Sequence, residues 1–82
     1  MDFEQVLRGC GDSLEKLCAL ADSIALESDH AWAEEDKDLI AQQDYRFSRL
    51  CEYARETLSP SDWHLFRLKT ESLQKFGRPP LG

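Results

Sequence analysis

Apolar residues open the chain at alternating steps of four and three: Phe3, Leu7, Cys10, Leu14, Leu17, Ala21 and Ile24. Such steps put the side chains on one face of a helix and hold a heptad pattern. Gly9 and Gly11 interrupt the stripe, and Asp12 followed by Glu15 has capping-box spacing. The pattern predicts a short helix over 2–9 and a firm helix over 13–27, either separate or run together.

Ser28-Asp29 has N-cap chemistry, and a turn is expected there unless one very long helix runs through it. Glu34, Glu35, Asp36 and Asp38 then crowd the start of the next helix, where the macrodipole favours anions. The stripe Leu39, Ile40, Phe47, Leu50, Cys51, Ala54 and Leu58 predicts a helix over 30–58. Asp36 and Gln43 fall on that same face, which places them at the bundle end or against a partner.

A third helix is predicted over 60–76. Ser59 can cap it, Pro60 suits its first position, and Asp62 makes its first turn acidic. Lys75 near its end, Gly77 at C′ and Pro79-Pro80 beyond predict its stop, with 78–82 an extended tail. Its apolar face is Trp63, Phe66, Leu73 and Phe76, with Leu65 and Leu68 to one side.

Between Gly11 and Pro60 lie 48 residues without glycine or proline. That leaves little turn chemistry. The fold class expected is all-α, a three-helix bundle. A long antiparallel helical hairpin would carry a shorter C-terminal helix, in a single domain over 1–77.

At 82 residues, a single thin core is all the chain can build, and the heptad Phe3–Ile24 offers a second copy a seam to share. Its 41% hydrophobic and 32% charged residues are those of a globular chain. The acidic start has no secretory pattern, and no apolar run reaches membrane length. Cys10, Cys18 and Cys51 form no CxxC and stand among apolar neighbours, as small buried thiols of a reducing compartment do. A cytoplasmic location is expected.

Charge divides the chain. Residues 1–45 hold twelve acids and three bases, a balance of −9; residues 46–82 hold four acids and seven bases, a balance of +3. Glu27, Asp29, Glu34, Glu35, Asp36, Asp38 and Asp44 enclose one base, Lys37. A soluble helix face explains such a cluster, and so does a surface that meets a basic partner. Among the aromatic rings, Tyr45 projects opposite the Phe47/Leu50/Ala54 stripe, and Trp32 and Trp63 are large for so small a core. Aromatics and arginines with a free face make interface anchors.

Chemistry has little support. His30 and His64 stand near no cysteine or serine in a nucleophile–base spacing, so no catalytic residue is assigned. His30 and Glu34 are too few to hold a structural metal. No cofactor is expected. The basic set Arg46, Arg49, Arg55, Arg67, Lys69, Lys75 and Arg78 would suit phosphates, but acids lie among its members and the whole chain is at −6.

Asp44-x-Arg46 on a helix, followed by Pro60-Ser61 and Trp63, resembles the small Hha-type modulators of nucleoid proteins. Leu7-Arg8-x-Cys10 and Leu14-Glu15-Lys16 add to the likeness, which covers scattered positions with a gap between its two blocks. The resemblance implies a compact helical protein that binds a nucleoid-structuring protein, with Asp44 and Arg46 facing that partner.

The reading that combines these features is a small acidic regulator or inhibitor that binds another protein with a basic surface, of the kind phages and mobile elements encode. Trp32, Glu34, Glu35, Asp36, Asp38, Asp44, Tyr45 and Arg46 are its expected partner-binding residues. Alternatives are a nucleic-acid-associated regulator, Hha-like or binding DNA through the basic C-terminal half, and a DNA-mimic inhibitor.

Overall fold

In a computed structural model, which describes the backbone of residues 2–77 and side chains as far as Leu73, the chain is all-α. Four helices follow in order: α1 Phe3–Cys10, α2 Leu14–Ala33, α3 Lys37–Thr57 and α4 Pro60–Gly77. The expectations for the Lys75 and Phe76 side chains and for the tail 78–82 lie outside the described residues.

The first stripe makes two helices. Asp2 caps α1, with Gln5 returning a bond to the Asp2 amide. Gly11, at φ 58, then occupies the left-handed region that side chains avoid, and the chain turns. Ser13 caps α2 through the Lys16 amide at 3.3 Å, the role expected of Asp12.

The expected turn at Ser28-Asp29 is absent. The buried stripe of α2 continues through Leu17, Ala21, Ile24, Ser28 and Ala31, so Ser28 faces the core at 3% exposure. The chain reverses at Glu34–Asp36. There the Asp36 amide bonds to the Ala31 carbonyl and the Glu35 amide to the Trp32 carbonyl, the paired bonds of a Schellman motif. Its left-handed position is taken by Glu35, at φ 55, where glycine is usual. Asp36 then caps α3 by accepting the Leu39 amide at 3.1 Å.

Folding back brings Glu27 of α2 against both Gln43 and Arg46 of α3. Gln43 lies at neither the bundle end nor an outer surface. It is fully buried and donates from Nε2 to Glu27 Oε2 at 3.0 Å.

The short turn at Leu58-Ser59 leads into α4, where Ser59 Oγ accepts the Asp62 amide at 3.3 Å. This helix packs mainly on α2 and touches α3 little, rather than lying across the hairpin. The docking residue is Phe66, fully buried and stacked on Trp63 with ring centroids 5.8 Å apart. Burial of a ring that size contributes roughly 2–3 kcal/mol. Lys69 meets Asp22 of α2 at 3.4 Å.

One core joins all four helices: Leu7, Leu17, Ala21, Ile24, Phe47, Leu50, Ala54, Leu58 and Phe66. The interior members of the first stripe are therefore buried within the chain itself. Cys10, Cys18 and Cys51 are free thiols, half-buried at the margin of that core. Among the described residues no helix is long and apolar enough to cross a membrane.

Candidate functional site

The residues expected to bind a partner fall into three places. Glu34, Glu35 and Asp36 form the turn between α2 and α3, and Asp38 stands in the first turn of α3. All four are exposed, and none forms an ion pair among the described residues. The tip of the hairpin is thus a cluster of carboxylates that enter no ion pair among the described residues, with Lys37 the one base in their midst.

Tyr45 continues this surface. It lies seven residues after Asp38 and seven before Glu52, so the three side chains leave α3 on one face, two turns apart each. Tyr45 is 64% exposed, the largest exposure among the big apolar side chains of the described residues. An acid, an aromatic ring and a second acid therefore line the outer face of α3.

Trp32 and Arg46 do not join that face. Trp32 is half-buried at the end of α2, and its Nε1 is shut from solvent without a hydrogen-bond partner among the described residues. Arg46 follows Tyr45 by one residue, and the 100° step between neighbours turns it toward α1 and α2. Its guanidinium lies 5.9 Å over the Phe3 ring and 3.8 Å from Glu27. Asp44 is half-buried and engaged, with one carboxylate oxygen sealed from solvent. The Asp44-x-Arg46 pair thus divides, with neither side chain on the Tyr45 face.

Among the described residues, four of the five basic side chains of the second half are paired and the exposed Arg55 is not. Arg46 pairs with Glu27, Arg49 with Glu4 and Glu52, Arg67 with Glu71, and Lys69 with Asp22. Glu4 raises the Arg49 pKa above its ordinary value, chiefly through their hydrogen bond and against some desolvation. Paired guanidinium groups are poor phosphate ligands, because each must first leave its carboxylate.

Two features lay beyond sequence reasoning. One is the conformation of Glu35, which no residue type around it signals. The other is a small cleft between α1, α2 and α3, whose walls come from residues more than forty positions apart. Among the described residues, no three His, Cys, Asp or Glu side chains gather as a metal ion requires. Burial pushes the Cys51 thiol up from its ordinary pKa and does the same to Cys18, which keeps both as weak nucleophiles. Comparison with protein families, with curated proteins and with solved structures finds no match to this chain.

Proposed function

We propose that this chain is a protein-binding regulator or inhibitor whose contact surface is the acidic hairpin tip, extended along α3 by Tyr45. The observation that carries the reading is Glu35. A glutamate held at φ 55 is strained where glycine would be relaxed, and its neighbours Glu34, Asp36 and Asp38 are exposed acids without ion pairs among the described residues. Strain of that kind persists where a side chain is needed for something other than stability.

The partner that fits is a protein with a basic surface. Exposed like charges at one end of a small molecule steer an oppositely charged partner and raise its association rate. Tyr45 supplies the apolar contact that steering alone lacks. Catalysis, cofactors and metals have no part in this reading. The paired state of Arg46, Arg49, Arg67 and Lys69 argues against the C-terminal half as a phosphate-binding surface.

Affinity capture with the tagged chain, with and without nuclease and at two salt concentrations, tests the proposal. A stoichiometric protein should survive nuclease, weaken at high salt, and be lost when Glu35→Lys and Asp38→Lys are combined. Recovery that disappears with nuclease would replace the reading with a nucleic-acid one. Capture unaffected by the charge reversals would remove the tip from the contact.

A further inference from the structure

The cleft between α1, α2 and α3 measures about 220 Å³. Phe3 and Val6 of α1 and Leu20 and Ile24 of α2 make its apolar floor. Ser23, Glu27 and Arg46 make its rim. Sites for whole small ligands run to roughly 300–1,000 Å³ and enclose what they bind. This cleft is smaller and open on one side, so it suits one large side chain brought in by another protein.

The rim holds an acid and a base that face each other. Gln43 and Arg46 both approach Glu27 at Oε2, at 3.0 and 3.8 Å, which leaves Oε1 for a cation from outside. Arg46 itself is held over the Phe3 ring and forms part of the wall. Seven residues beyond Glu27 stands Glu34, on the same side of α2 and about 10 Å further along it. Beyond the Glu27–Arg46 pair at the mouth of the cleft, exposed carboxylates thus continue to the hairpin tip.

We infer that this cleft seats one aromatic or aliphatic side chain of a basic helical segment on the partner protein. Lysines or arginines two turns apart on that segment meet Glu27 and Glu34. The inference rests on the reading of the chain as a binder of a basic protein, and adds the shape of what it binds.

The full chain titrated with a synthetic Ala/Lys helical peptide carrying one Trp, followed by NMR, tests it. Two further peptides serve as comparisons, one with Trp replaced by Ala and one with Lys replaced by Glu. Saturable shifts are expected at the Val6, Leu20 and Ile24 methyls and at the Glu27 and Glu34 amides. Loss of the Trp should weaken binding by roughly tenfold, the scale of one hot-spot side chain. Ser23→Trp, at an exposed rim position, fills the cleft with the chain's own ring and should abolish the methyl shifts while leaving the core folded.

Equal binding of the Trp and Ala peptides, or shifts undiminished in Ser23→Trp, would overturn the cleft and leave the acidic tip standing. Equal binding of the Lys and Glu peptides would overturn the charge selection on which both readings depend. Absence of shifts with every peptide would overturn the cleft outright.

Discussion

Arg49 reaches forty-five positions back along the chain to Glu4, where its Nε and Nη2 both donate to Oε1 at 3.2 and 2.8 Å. With Arg46 over Phe3 and Leu7 buried beneath, this contact ties α1 to the rest of the fold. The pair is partly exposed, so added salt screens it. Glu4→Gln should raise hydrogen exchange of the α1 amides severalfold and leave those of α2 and α3 unchanged. Added salt should move the wild-type chain in the same direction. Unaltered protection in α1 would mean that Leu7 holds the helix alone.

Glu35 offers a gain in stability. Left-handed backbone costs a residue with a side chain about 1–2 kcal/mol, and glycine gives back roughly half of that through a freer unfolded chain. Glu35→Gly should therefore raise unfolding stability by about 0.5–1 kcal/mol in urea titration. The same variant should bind the basic partner more weakly. A variant both more stable and equally active would show that the charge at this position is idle.

Gln43 is a buried amide half satisfied. Its Nε2 is bonded to Glu27, while Oε1 has no hydrogen-bond partner among the described residues. Gln43→Leu removes that unmet acceptor and leaves Glu27, which is mostly exposed, to water and Arg46. A stability gain on the order of 1 kcal/mol is expected in urea denaturation. A loss of that size would show that the bond to Glu27 outweighs the orphan oxygen.

Phe66 holds α4 on α2. Phe66→Ala should cost about 3–5 kcal/mol, close to the whole stability of a domain this small. Thermal melting followed by circular dichroism should lose its cooperative transition. Leu65→Ala, one residue away and exposed, should stay within about 0.5 kcal/mol of wild type.

Cys51 makes stability fall at alkaline pH. Burial raises its pKa in the folded chain, so the folded state holds the proton more tightly than the unfolded one. That contribution is whole below the ordinary thiol pKa of about 8.5 and is lost as pH rises through the folded value. Urea midpoints measured across this range should decline. Cys51→Ala should decline less steeply, with Cys18, also raised by burial, keeping its own part of the effect.

Helical content was legible because the interior of the chain lacks glycine and proline, and the start of α4 because Ser59, Pro60 and Asp62 each act locally. The end of α2 was not. Its reversal depends on Glu35 adopting a conformation that its side chain disfavours, while Ser28 and Asp29, good caps by type, are carried along in a helix whose buried stripe takes in Ser28 and runs on to Ala31. Gln43 was misplaced for a related reason, since its burial depends on Glu27 from another helix. At the candidate site the exposed acids were readable, because exposure and charge travel together. The separation of Tyr45 from Arg46 required knowing where α1 lies, and no property of either residue reports that.

Because α3 pairs with the helix just before it, a refolding chain can close the hairpin without waiting for α4 to dock. Only the flank of α2 that later receives Phe66 then stays uncovered. In that half-built state the flank is where a chaperone would find this protein, and the arrival of a single aromatic ring ends its exposure.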